Sequence, residues 1–340
     1  MEIPIQNIYF LLCYAWDKLE ERDVVDVDAV GVTELVNLFA RVLVTGTNHL
    51  LKRGFDRSYV AHEEWTGRLR GKLLFDAATK AGVLTATLPC EFDELSYDIL
   101  HNQLLKATAR QLLHVRGVSR NNAAALTGLV RQLSDVRDIE IRSRLFGQVQ
   151  LHRNNRFYDF LMKVCELIHR NLLISETPGR SSFNDFTRDE KQMAALYEGF
   201  VRHFYRLHSR YRVKRENIRF GWVPEDHGAD DLLPRMQTDV SLTAEDRKII
   251  IECKYTPLVT QRHYMSDAHT LRSAHLYQLN AYLDNLPSED AGCEAILLYP
   301  TADTALSASY MYNDHRISIR TINLAQPWQA IHQDLLALVA

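Results

Sequence analysis

Apolar positions along this chain follow two periods, and the changes from one to the other mark out its parts. Near the start, Ile8, Leu11, Leu12, Ala15, Trp16 and Leu19 recur at helical spacing, with Asn7 placed to cap the helix they define. A second helix is expected over residues 33–51, turning Leu35, Val36, Phe39, Val42 and Leu43 inward. Strand-like pieces follow at residues 59–65, 68–75 and 83–92, then helices at 97–115 and 121–133. Helical period returns at residues 156–172, through Phe157, Phe160, Leu161, Val164 and Ile168, ahead of a loop at 175–182. Thr187-Arg-Asp-Glu190 has capping-box form and opens a helix whose inward face is Met193, Leu196, Tyr197, Phe200, Val201 and Phe204. Beyond it lie two short apolar runs at 236–242 and 248–255, a helix around Gln278, strands at 295–299 and 317–324, and a closing helix at 328–339. The pattern predicts an α/β chain in two parts, a mixed α+β N-terminal domain over 1–150 and a second domain over 151–340.

The two short apolar runs carry the candidate chemistry. Thr243-Ala-Glu-Asp-Arg247 between them is polar and turn-forming. If the hairpin folds symmetrically about the bond between Glu245 and Asp246, Asp239 lies directly opposite Glu252, on the same face and about 5 Å away at Cβ. Lys254, two residues further on, returns to that face because strand side chains alternate. Two carboxylates and an ammonium then converge, which suits a hard cation with oxygen ligands and a lysine beside an attacked phosphate. In the helix that follows, Gln278 and Tyr282 stand at i and i+4 and share one face.

Asp239 with Glu252-Cys-Lys254, followed by Gln278-x-x-x-Tyr282, resembles the core of the PD-(D/E)xK nuclease superfamily and its RecB-like branch. That resemblance implies a restriction-endonuclease-like core, with Gln278 and Tyr282 near the metal and the substrate phosphates. It also offers Glu198, on the helix before the hairpin, as a further metal ligand. The competing structural explanation is a buried Glu252–Lys254 pair that only fixes the sheet, since charges inside a buried strand are costly unless paired or bound to metal.

Composition narrows the class. The chain has 340 residues, 46% hydrophobic and 24% charged, with a net charge of −3, so it is globular and not a uniformly basic nucleic-acid binder. Basic residues nevertheless concentrate from Arg202 to Arg219, among them Arg210, Arg212, Lys214 and Arg215, with Tyr205, Tyr211, Phe220 and Trp222 interleaved. These are candidates to meet DNA phosphates, against the alternative of a solvated face with aromatics turned to the core. Five scattered cysteines, none in a C-x-x-C pair, argue against a disulfide framework, structural zinc or an iron–sulfur cluster. Glu2 and Pro4 stand where a secretory signal carries positive charge, and no run approaches about 18 apolar residues, so a cytoplasmic protein without a membrane span is expected. Gly67-Arg-Leu-Arg-Gly71-Lys72-Leu73 is not a phosphate loop: it has one residue too few between its glycines, and Leu73 where Ser or Thr must bind magnesium. No nucleotide-binding motif is left.

A narrower resemblance spans nearly the whole chain. Ile5-Gln-Asn-Ile-Tyr-Phe-Leu-Leu-Cys-Tyr-Ala-Trp16 is similar to the opening segment of the McrC family, the nuclease subunits of McrBC modification-dependent (5-methylcytosine) restriction systems. Leu232-Leu-Pro-Arg-Met-Gln-Thr-Asp239, Leu276-Tyr-Gln-Leu-Asn-Ala-Tyr282, Leu298-Tyr-Pro300-Thr-Ala-Asp-Thr-Ala305, Ile322-Asn-Leu324 and His332-Gln-Asp-Leu-Leu336 fit the same family. The resemblance implies Mg²⁺-dependent cleavage of double-stranded DNA, leaving 5′-phosphate and 3′-hydroxyl ends. Its metal ligands would be Asp239 and Glu252, with Lys254, Gln278 and Tyr282 assisting. It also implies a partner McrB-like AAA+ GTPase ring that reads methylated cytosine, with the N-terminal half of this chain docking to it and stimulating GTP hydrolysis. Two other functions share parts of this pattern, a catalytically silent adaptor of an AAA+ motor and a stand-alone DNA-repair nuclease.

Overall fold

The computed structural model describes residues 2–20, 34–81, 87–152, 155–174, 181–223, 232–256, 260–262, 269–290, 292–301 and 305–340. Contacts divide the chain into one unit of residues 23–184 and another that joins residues 1–22 to 185–340. The boundary expected at residue 150 therefore lies at 184, and the opening helix belongs with the C-terminal part. Packing explains the first difference. Helix Arg156–Arg170 buries Tyr158, Phe160, Leu161, Val164 and Ile168 and packs on helices Leu35–Arg53 and Leu100–Leu113.

The unit of residues 23–184 is built from those helices, from Arg120–Gln132, and from an antiparallel three-stranded sheet with Leu88–Ser96 between Ser58–Thr66 and Lys72–Leu73. The strand expected over 68–75 shrinks to Lys72–Leu73, because the chain turns at Gly71 (φ +68°) and continues into helix Phe75–Ala81. A Cβ at Gly71 would stand 2.3 Å from the Glu91 carbonyl, so the close approach of the two strands requires glycine. Residues 83–86 of the third expected strand, and 175–180 of the expected loop, lie outside the described residues.

The other unit carries the candidate chemistry. Its helices are α1 (Ile5–Ala15), α2 (Glu190–His208), α3 (Ser273–Asp284) and α4 (Trp328–Ala337). Its main sheet uses β1 (Arg212–Lys214), β2 (Val240–Thr243), β3 (Lys248–Cys253), β4 (Glu294–Thr301), β5 (Ser307–Tyr312) and β6 (His315–Asn323), in the order β5-β6-β4-β3-β2-β1. The pairs β3–β4 and β4–β6 are parallel, and β1–β2, β2–β3 and β5–β6 antiparallel. Alternation along β3 sends Ile250 into a core with Leu279, Tyr282, Leu283, Leu297 and Ile319, on the α3 face. Ile249 and Ile251 are fully buried on the opposite face, where α2 contacts β2 and β3.

Helix α1 lies against α2, and Gly199 permits the approach: a Cβ there would meet the Ala15 Cβ at 3.3 Å. Tyr14, Phe200 and Trp328 form an aromatic cluster with ring centroids 5.2–5.6 Å apart. Asn7 does not cap α1. Pro4 occupies the cap, and Asn7 sits buried in the helix, its Nδ2 donating to the carbonyls of Leu324 (2.8 Å) and Gln326 (2.9 Å). Nor does Thr187 cap α2: the Asp189 carboxylate accepts from the amides of Lys191 (2.9 Å) and Gln192 (3.1 Å). The edge strand β5 was not expected, since its mostly exposed residues lack a clear apolar alternation.

Candidate active site

Pairing between β2 and β3 sets Lys248 against Thr243, Ile249 against Leu242, Ile250 against Ser241 and Ile251 against Val240. Continued by one residue, this register places Glu252 opposite Asp239, as the spacing predicts. The run expected over residues 236–242 is nevertheless broken. Met236–Gln237 pairs with Asn217–Ile218, and β2 begins only at Val240. Asp239 thus occupies the step between the two pairings. Thr238 holds the step, its amide donating to the Glu216 carbonyl (2.9 Å) and its hydroxyl meeting Ser241 Oγ (2.8 Å).

Each side chain at the site has a defined anchor. Asp239 Oδ2 accepts from the Cys253 amide at 2.9 Å. Glu252 is 1% exposed, and its Oε1 accepts from Lys254 Nζ at 2.7 Å. Lys254 Nζ also donates to Gln278 Oε1 (2.7 Å), Gln278 Nε2 donates to Tyr282 Oη (2.7 Å), and that hydroxyl donates to the Gln237 carbonyl (2.9 Å). The relay joins three elements and orients the Gln278 amide, oxygen toward the ammonium and nitrogen toward the phenol. Asp239, Glu252 and Lys254, grouped by strand spacing, and Gln278 and Tyr282, added by the resemblance, therefore come together.

Electrostatics set this place apart. Burial, then the charges of Glu252 and Glu198, push the Asp239 carboxyl up to about 7, against the Cys253 amide and Lys254. Burial likewise raises Glu252, opposed by Lys254. The Cys253 thiol is driven far above its ordinary value by burial and the neighbouring carboxylates, which keeps it protonated and inert. Glu252 Oε2 is buried with no hydrogen-bond donor. An acceptor-only oxygen in that position is what a bound cation would satisfy, and the Asp239 and Glu252 oxygens suit a hard divalent ion such as Mg²⁺.

Glu198 is placed differently. It lies on α2, and its Oε1 pairs with Arg202 (2.7 Å) and Arg215 (3.1 Å). Arg202 also reaches the Asp239 carbonyl at 3.5 Å, so a guanidinium group joins Glu198 to the margin of the site. Among the described residues, no three His, Cys, Asp or Glu side chains converge closely enough to hold a metal. Arg202 opens the basic stretch read as facing DNA; its pairing with Glu198 was not foreseen, although the i+4 spacing was the available signal. The Gln237 carbonyl, a backbone group, left none.

The basic candidates Arg210, Arg212, Lys214 and Arg215 are all exposed, on or beside edge strand β1. Their interleaved aromatics divide. Tyr205 and Tyr211 are buried, donating to the carbonyls of Leu335 (2.8 Å) and Val339 (3.2 Å), while Trp222 is exposed beside Phe220. No described helix is long and apolar enough to cross a membrane.

Comparison with known proteins gives consistent matches. A family described as McrBC 5-methylcytosine restriction system component matches residues 8–300. The chain is 29% identical over 337 residues to the Type IV methyl-directed restriction enzyme EcoKMcrBC of Escherichia coli (strain K12), covering 98% of this chain and 96% of that protein. Among solved structures it is similar, at TM-score 0.63 and 17% identity, to a chain in a half-complex from the tetradecameric assembly of Thermococcus gammatolerans McrB AAA+ hexamers with bound McrC. That match covers 99% of this chain and 76% of the other, and speaks to fold.

Proposed function

Because this chain belongs to the McrBC 5-methylcytosine restriction system component family, we propose that it is the DNA-cleaving subunit of a type IV restriction complex. In this reading it hydrolyses phosphodiester bonds with Mg²⁺ and works with an AAA+ GTPase partner whose GTP turnover it stimulates. One observation carries the reading. Asp239, in the step just before β2, and Glu252 on β3 converge, with Lys254 bonded to Glu252 and to the Gln278 relay.

Asp239 and Glu252 would hold the Mg²⁺. When bound, the ion polarises the phosphate and makes a coordinated water more acidic. The chain's own residues do the rest. The Cys253 amide fixes one Asp239 oxygen and so aims the other. Lys254, steered by Glu252 Oε1 and Gln278 Oε1, places a positive charge where negative charge builds on the phosphate in the transition state. Gln278 and Tyr282 do not need to touch the reacting atoms; their bonds keep the ammonium from swinging away. The exposed cations Arg210, Arg212, Lys214 and Arg215 would hold the DNA backbone.

The test is cleavage of methylated DNA by purified chain, partner GTPase and Mg²⁺. Asp239→Ala should abolish cutting and leave stimulation of the partner's GTP hydrolysis largely intact. Cutting at the wild-type rate by this variant would refute the site.

A further inference from the structure

With Asp239 and Glu252 ionised, as cation binding requires, the charges around the proposed site cancel. Asp239, Glu252 and Glu198 supply the negative groups; Lys254, Arg202 and Arg215 supply the positive ones. The two sets are interlocked, since Lys254 holds Glu252, Arg202 holds both Glu198 and the Asp239 carbonyl, and Arg215 closes on Glu198 from outside. A neutral cluster of this kind attracts a divalent cation poorly. Any change that removes one of the positive partners leaves an excess negative charge and improves it.

Arg215 is the partner free to leave. Arg202 sits one helical turn from Glu198 on α2, with a side chain 23% exposed and a second contact to Asp239. The Arg215 side chain is 43% exposed and follows β1 among the exposed cations Arg212, Lys214 and Arg219. A DNA backbone lying along β1 offers this guanidinium a phosphate, which it can bind through two parallel N–H bonds in place of its contact with a single Glu198 oxygen.

We propose that Arg215 is a substrate-operated latch: paired with Glu198 it keeps the metal site charge-balanced, and a DNA phosphate that draws it away unmasks Glu198 and lets the site take up its cation. The inference rests on the reading of Asp239 and Glu252 as Mg²⁺ ligands. It gives Arg215 a positioning role, acting through Glu198, beyond holding the backbone. Because coupling is reciprocal, DNA tightens metal binding by the same factor that metal tightens DNA binding. The cutting centre is then assembled where DNA is seated and stays metal-poor elsewhere.

Calorimetric titration of the full chain with Mg²⁺, without the partner GTPase and with or without a saturating short duplex, tests the latch without reference to cleavage. Wild type should bind Mg²⁺ weakly alone and about tenfold more tightly with duplex, within the usual range of coupling. Arg215→Ala should show most of that gain with no DNA present and little more when duplex is added. Glu198→Gln, which has no charge to unmask, should stay weak in both states. An Arg215→Ala protein that matches wild type without DNA and still gains the full duplex effect overturns the latch and leaves the metal site standing. Equal Mg²⁺ binding by wild type and Asp239→Asn in both states overturns the metal site itself, and the latch with it.

Discussion

Replacing Asp239 by Asn should disable cleavage and yet make the metal-free protein more stable at neutral and alkaline pH. In the fold this carboxyl ionises near 7 instead of 3.8, because burial and the charges of Glu252 and Glu198 outweigh the Cys253 amide and Lys254. Between about pH 4 and 7 the folded chain therefore holds a proton that the unfolded chain has released. Stability falls as pH rises through that window and stays reduced above it. A delay from 3.8 to about 7, at about 1.4 kcal/mol per pH unit, bounds the loss near 4 kcal/mol. Asn keeps an acceptor for the Cys253 amide, so that bond survives. Local relaxation lowers the gain, and about 2 kcal/mol is expected at pH 8, shrinking toward zero at pH 4. The readout is hydrogen exchange of peptides covering Lys248–Cys253 at pH 4, 6 and 8 with chelator, which follows opening of this sheet alone. Added Mg²⁺ should reverse the order, because the ion binds the folded wild type and not the variant. A variant less stable than wild type at pH 8 without metal would identify Asp239 as a structural carboxylate and refute the reasoning.

Lys254→Met removes one partner of a buried pair and should cost about 3–5 kcal/mol without metal, but far less with Mg²⁺, while single-turnover cleavage drops by orders of magnitude. A variant that melts early with or without metal yet cuts normally would show a lysine that only holds the sheet. Asn7→Ala strands the Leu324 and Gln326 carbonyls and should cost about 1–3 kcal/mol, visible as faster exchange in α1 and β6; unchanged exchange there would refute the tether. Residues 23–184 expressed alone should fold and raise the partner's GTP turnover without cutting DNA. A response obtained only with the rest of the chain would reverse these roles.

How much of this was legible depended on the range of the interaction. The register of β2 and β3 could be read because the polar segment between them is short and nearly symmetric, and period-two alternation then placed Glu252 and Lys254 on one face. Gln278 and Tyr282 were legible as an i, i+4 pair. The break at Asp239 was not, because Met236–Gln237 is claimed by Asn217–Ile218, a pairing that leaves no periodic trace. Asn7 looked like a cap because Asn favours that position, yet its partners lie more than 300 residues away. The same long reach moved the unit boundary: an apolar helix shows that it must be buried, and not against what. Glu198 was visible as a carboxylate on the right helix, but its arginine partners follow from how α2 and β1 are set beside each other.

The unit that holds the candidate site is written in two separated stretches of sequence, with the whole of residues 23–184 strung between α1 and α2. That arrangement imposes a schedule on synthesis. Helix α1 leaves the ribosome before the rest of its unit, with an apolar face that has no partner until α2 follows, and Phe10 and Tyr14 wait longer still for Trp328 on α4, at ring distances of 4.9 and 5.2 Å. The intervening unit has all its own strands and helices by then and is free to fold ahead of its surroundings. A nascent chain that stalls after the insert therefore carries a finished unit and an unclosed sheet, and the carboxylates of that sheet come together only once the strands after the insert have been made.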